Sequence, residues 1–262
     1  MTGNKTYHPI PPSRITTFDV FAIGLTKHHV VSLLEVDVTL GRQKIRELRR
    51  SGARVSFNGW LVKAISKTIE GHPESAAFLA GKRKLITFDD INISFLIEKE
   101  LAGKKVPIPL ILYKTNEKSA SQITQEIEAA SEQALESGDM VLHRKTKTYE
   151  KAYYLLPGFL RRLIWRVVLR NPKLAYSKMG NVAVTSVGMA GRINGWFIHK
   201  SVHPLSFGLG SVIKKPVVVN NEIVIREILN MTILLDHDAI DGAPMARFVK
   251  DLVRNMEAGV GL

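Results

Sequence analysis

The chain has 262 residues, with 37 Lys+Arg against 24 Asp+Glu and a net charge of +13. An apolar share of 45% suits a folded globular protein and excludes intrinsic disorder. There is no cysteine, which excludes disulfides, thiolate metal centres and cysteine nucleophiles and fits a reducing compartment. The N-terminus, MTGNKTYHPIPPSR, lacks the apolar core of a secretion signal, and no apolar run approaches the ~20 residues that span a bilayer. The expected setting is cytoplasmic.

Residues 1–15 are Pro-rich and read as an extended arm. VVSLLEVDV at 30–38 predicts a strand, followed by a helix over 40–51 closed by Gly52. A second helix is expected over 59–70, ended by Gly71 and Pro73. Strands fit 84–88, 91–97 and 106–112, with ELAGKK as the loop between the last two. Ser119 or Ser121 is placed to cap a helix running to about residue 136 and stopped by Gly138. Residues 140–180 form the least readable stretch. Within it, Phe159, Leu160, Leu163, Ile164, Val167 and Val168 recur at helical spacing, with Arg162, Arg166 and Arg170 on another face. A cationic membrane-surface helix shows this pattern, and so does a helix packed on its own protein or a neighbouring subunit; the second reading is favoured. Beyond 180, NVAVTSVG reads as a strand, and two long strands meet at Asn220-Asn221 in a hairpin. A last helix over 243–257 has Met245, Phe248, Val249, Leu252, Val253 and Met256 as its apolar stripe, with Pro244 in its first turn. Strands mixed with helices predict an α/β sandwich, and the absence of an obvious linker predicts one domain over 1–262.

Standard phosphate, dinucleotide, hydrolase and zinc-protease motifs are absent. The basic residues accompany no nucleic-acid motif, so nucleic acid is not an expected partner. His28-His29 reads as an isolated surface pair. His199 and His203 have a ligand spacing only on a helix and no carboxylate nearby, so no metal is expected. His237 differs, since it follows an apolar strand directly and precedes a helix. An imidazole there is placed to take and return a proton. The same residues also suit a hydrogen-bonded core histidine, with Asp241 as an N-cap.

DHDAIDGAPMARFVKDL resembles the D-H-R-x-x-D-G signature of the 2-oxo acid dehydrogenase acyltransferases, whose H-x-x-x-D-G motif is shared with chloramphenicol acetyltransferase. VAVTSVGMAG is similar to that family's strand and turn, and SFGLGSVIKKPVVVNNEIVIREILNMTILLDHD to the strands that follow. VSLLEVDVT, VSFNGWLVKAISKTIEGHPESAAFL and INISFLIEKELAGKKVPIPLI match in order and spacing upstream. The resemblance covers about residues 30–136 and 180–258. It implies a chloramphenicol acetyltransferase-like two-layer sandwich, a mixed β-sheet covered by helices.

It further implies that His237 is the general base, that Thr185, 52 residues earlier, donates to the oxyanion, and that Asp241 and Gly242 support the active-site loop. Arg14, the one arginine before residue 42, is the implied partner of Asp241. The implied reaction moves an acyl group between coenzyme A and a dihydrolipoyl-type thiol or other small acceptor. Coenzyme A is a substrate, and neither a metal nor lipoate bound to this chain is needed. The implied assembly is a homotrimer, or trimers built into a larger particle, with each site shared between two subunits. Three departures stand out. Asp238 occupies the place of the family's arginine, residues 140–180 form a divergent insert with an amphipathic helix, and no lipoyl domain is expected before the catalytic part, so that the expected acceptor is a lipoyl-domain protein in trans or one unrelated to dihydrolipoamide. The alternative is a catalytically inactive trimeric scaffold of the same fold.

Overall fold

The computed structural model describes residues 6, 10, 12–81, 83–101, 104–133, 153–188, 191 and 193–262. Its centre is a six-stranded mixed sheet made of β1 (His29–Asp37), β4 (Ile93–Leu101), β5 (Lys104–Leu112), β6 (Val182–Ser186), β7 (Leu205–Val219) and β8 (Glu222–Asp236). The spatial order is β1-β8-β7-β6-β4-β5. β6 runs parallel to both β4 and β7, and the remaining pairings are antiparallel. A separate two-stranded ribbon joins β2 (Phe78–Ala80) to β3 (Lys84–Ile86).

Helices α2 (Thr39–Arg50), α3 (Phe57–Glu70), α4 (Ala120–Glu132) and α7 (Gly242–Glu257) supply the apolar residues that pack against the sheet. Ser56 caps α3 by accepting the Gly59 N–H at 3.0 Å, and Ser119 with Gln122 forms a capping box at the start of α4. α3 is the most buried helix. The ring of Trp60 lies where a Cβ on Gly41 would stand, 2.2 Å away, so α2 and α3 touch at a position only glycine fits. The Trp60 indole N–H donates to the carbonyl of Val260 at 3.0 Å and ties down the C-terminal turn.

A second helical group sits to one side, formed by α1 (Pro12–Gly24), α5 (Gly158–Arg170) and α6 (Pro172–Met179). The extended arm expected through residue 15 thus gives way to a helix from Pro12. α1 docks on α5 through a polar knot. The buried carboxylate of Asp19 accepts from the Tyr153 hydroxyl at 2.9 Å and from Arg161 Nε at 2.7 Å, and Trp165 donates to the Tyr153 hydroxyl at 3.0 Å. Burial and the adjacent carboxylate push the Tyr153 phenol up to about 12.

The predicted hairpin forms at Asn220-Asn221, both with positive φ, as a mirror-image two-residue turn requires. β4 and β5 extend further than expected, pairing Leu101 with Lys104, so most of ELAGKK is strand. Residues 140–152 of the predicted insert, and the predicted end of α4 near 136–138, lie outside the described residues. Among the described residues no helix is long and apolar enough to cross a membrane.

Candidate active site

β8 delivers the chain to Asp236, and a tight turn carries it through His237 to α7. This turn is held by a neighbouring tripeptide, Lys27-His28-His29, at the entry to β1. The Lys27 ammonium pairs with the carboxylate of Asp236, whose side chain is only 1% exposed. The His237 N–H donates to the carbonyl of His28 at 3.0 Å. His28 Nδ1 lies 3.0 and 3.1 Å from the two carboxylate oxygens of Asp238. His29 Nε2 donates to the carbonyl of His203 at 2.9 Å. The backbone and flanking residues of the turn are therefore fixed, while the His237 side chain is exposed and has no hydrogen-bond partner among the described residues. The core-histidine reading of His237 fails on this exposure.

The tripeptide corrects the expectation of an isolated surface pair. His28 is exposed but bound to Asp238, and His29 is half-buried, with burial lowering its basicity. Nothing in the motif announced this role. A sequence signal existed in the facing patterns of Lys-His-His and Asp-His-Asp, but it becomes readable only once β1 is paired with β8.

Asp241 occupies the N-cap position of α7, and its carbonyl accepts the Met245 N–H at 3.0 Å. Its carboxylate caps nothing, so the purely structural reading of this side chain is not realised. A Cβ on Gly242 would meet nothing within 4 Å, so packing within one chain does not demand glycine there. Arg14 lies on α1 with its guanidinium 5.8 Å from the ring of Phe18. Among the described contacts, nothing joins Arg14 to Asp241.

Thr185 sits on β6, half-buried, on the face opposite the core residues Val182 and Val184. It pairs with Gly208 on β7, which in turn pairs with Thr232 on β8. His237 lies five residues beyond Thr232, roughly 16 Å further along the strand at 3.3 Å per residue. One chain therefore does not bring Thr185 and His237 together.

His199 and His203 lie on an irregular segment rather than a helix, and their rings go to different partners. The His199 ring covers Gly208, where a Cβ would stand 2.8 Å from Nδ1, and its Nε2 is 2.6 Å from the Ser206 hydroxyl. His203 Nε2 donates to the Met179 carbonyl at 3.1 Å. Burial lowers both imidazoles to about 4. Among the described residues there is no cluster of three or more metal-ligating side chains.

Residues 9–139 and 167–260 match the family model described as 2-oxoacid dehydrogenases acyltransferase (catalytic domain). The stretch between, 140–166, falls in the segment read as a divergent insert. The dihydrolipoyllysine-residue acetyltransferase component of the pyruvate dehydrogenase complex from Mycoplasma genitalium is 24% identical over 258 residues, which is 97% of this chain and 54% of that protein. The chain thus spans about half the length of this curated relative. Among solved structures, the dihydrolipoamide acetyltransferase of Azotobacter vinelandii superposes with a TM-score of 0.69 at 19% identity, covering 97% of this chain and 92% of that one. That protein was studied for the role of a serine, a histidine and an asparagine in its catalytic mechanism. Chloramphenicol acetyltransferase superposes with a TM-score of 0.54 at 12% identity over 93% of this chain and 94% of its own, which establishes the shared α/β sandwich. With the family model matching most of its length, this chain belongs to the 2-oxoacid dehydrogenases acyltransferase catalytic-domain family.

Proposed function

We propose that the chain is an acyltransferase that moves an acyl group between coenzyme A and a thiol acceptor, with His237 as general base. The observation that carries this reading is the His237 turn, fixed on both sides with the imidazole left free at a strand end. Spacing supports it too. The serine, histidine and asparagine studied in the Azotobacter vinelandii protein have the same separations as Thr185, His237 and Asp241.

The His237 imidazole takes the proton of the acceptor thiol as its sulfur attacks the thioester carbonyl. The Thr185 hydroxyl donates to the resulting oxyanion, a contact of the kind worth roughly 3 kcal/mol. The intermediate collapses, the carbon–sulfur bond to coenzyme A breaks, and the imidazolium returns its proton to the departing thiolate. No metal takes part in these steps, and the acyl group is at no point bonded to the protein.

Because Thr185 and His237 stand far apart within one chain, the site is completed by a second copy. Membership of the acyltransferase family points to a homotrimer, alone or in a larger particle, and the sequence points to a cytoplasmic setting. A dihydrolipoyl thiol carried on a lipoyl domain is a fitting acceptor. Asp241 supports the turn from the start of α7, and its free carboxylate is available to a group on the neighbouring copy.

Replacing His237 with Ala tests the reading. The expected outcome is a fall in kcat of several hundredfold or more with an unchanged fold, since general base catalysis contributes ~10²–10⁴. Equal transfer rates in the two proteins, measured with acetyl-coenzyme A and dihydrolipoamide, overturn it.

A further inference from the structure

Beside the His237 turn lies a cleft of about 400 Å³ that the acyl-transfer steps above do not use. This volume falls in the range of small-ligand sites, roughly 300–1,000 Å³. Most of its walls come from two helices, one strand and the turn. α1 gives Ala22, β2 gives Phe78 and Leu79, α5 gives Arg166, Leu169 and Arg170, and the turn itself gives Asp236 and Asp238. Lys27, which holds the turn, lines it as well.

The charges in this cleft are unevenly satisfied. Asp236 is already paired with Lys27, and Asp238 is held by His28. Arg166 and Arg170, by contrast, have no carboxylate partner among the described residues, and both are exposed. α5 and α6 together carry no acidic residue that could neutralise them. Thr26 adds one hydroxyl to the lining, and the rest of it is apolar, from residues such as Phe78, Leu169 and Val202. Two guanidiniums without an ion pair, beside the apolar part of this lining, match an oxyanion carried on a short apolar body, because the planar fork of arginine binds carboxylate or phosphate through two hydrogen bonds at once.

We propose that this cleft is an anion subsite, in which Arg166 and Arg170 bind a carboxylate or phosphate on one of the molecules that reach the His237 turn. The inference deepens the acyltransferase reading and rests on it only for the identity of that molecule. A terminal carboxylate on the acyl group and a phosphate on the acyl donor are its two sources. It also gives a role to the divergent stretch, since Arg166 stands at the edge of the segment outside the family match.

Calorimetry on the intact protein tests it directly, with succinate, inorganic phosphate and uncharged succinamide as probes. Arg166→Gln/Arg170→Gln is compared with wild type, and Lys178→Gln, which removes a positive charge from exposed α6 outside the cleft lining, serves as the control. The expected result is saturable binding of succinate or phosphate that weakens at least tenfold in the double variant and is unchanged in Lys178→Gln. Stronger binding of succinate assigns the subsite to an acyl carboxylate, and stronger binding of phosphate to the donor. Equal binding by wild type and double variant, equal weakening in the control, or equal binding of succinamide overturns the proposal. A kinetic arm follows the ratio of kcat/KM for a carboxylate-terminated acyl thioester over its uncharged isostere, which is expected to fall at least tenfold in the double variant if the carboxylate is the source. Anion binding without acyl transfer in wild type would refute the acyltransferase reading and leave the subsite standing.

Discussion

At the scale of single residues, the feature that matters most is the pairing of Lys27 with buried Asp236. Removing one partner of such a pair leaves an uncompensated charge, a loss of about 3–5 kcal/mol. Lys27→Met is therefore expected to lower unfolding free energy by about that amount in a urea titration, and to lower kcat beyond any effect on KM because the His237 turn loses an anchor. Lys27→Arg should retain most of both. The buried histidines give a second residue-scale prediction. His199 and His203 stay neutral in the folded chain down to about pH 4, whereas the unfolded chain takes up these protons near 6.5. Their share of stability is thus complete above pH 6.5 and is lost as the pH falls toward 4, on the order of 3 kcal/mol for each. Thermal melts recorded from pH 7 to pH 4 should show a steepening loss, reduced in a His199→Gln variant. The position of His237 was legible in the sequence because an apolar strand run precedes it and an amphipathic helix follows. The roles of His28, His199 and His203 were not, because each is fixed by a contact with a residue distant in sequence or by an irregular stretch with no period to read.

At the scale of elements, the hairpin and the last helix were legible in advance for physical reasons. Asn-Asn supplies the left-handed backbone that a mirror-image turn demands, and an apolar stripe at a 3.6-residue period has one way to be buried. α1 was not, because it follows a Pro-rich arm and depends on the Asp19–Arg161–Tyr153 knot, which no local pattern encodes. α5 was half-legible. The helix exists, but Phe159 (65% exposed), Leu163, Ile164 and Val167 remain in the open, so only one side of it is covered by the rest of the described chain. The contact between α2 and α3 offers a stability test. Gly41→Ala places a methyl against the rigid Trp60 ring, and overpacking of this kind costs roughly 1–3 kcal/mol. Chemical denaturation should show the midpoint shift with an unchanged slope.

At the scale of the whole molecule, the separation of Thr185 from His237 decides how the proposed activity must be organised. If each site joins the histidine of one protomer to the hydroxyl of the next, two crippled proteins can repair one another. Refolding His237→Ala together with Thr185→Ala in equal amounts is expected to restore about a quarter of wild-type sites by random mixing around a closed ring. Light scattering on the same sample reports the number of copies. Activity no higher than the sum of the separate variants would place both groups in one chain. The pairing of β1 with β8 has a further consequence, for synthesis. Residues 29–37 wait for residues 228–236 before they gain their neighbour. A nascent chain leaving the ribosome therefore holds β1 without its neighbour while about two hundred further residues are made, and the turn that carries His237 gains its hold on Lys27 and His28 only once β8 has emerged.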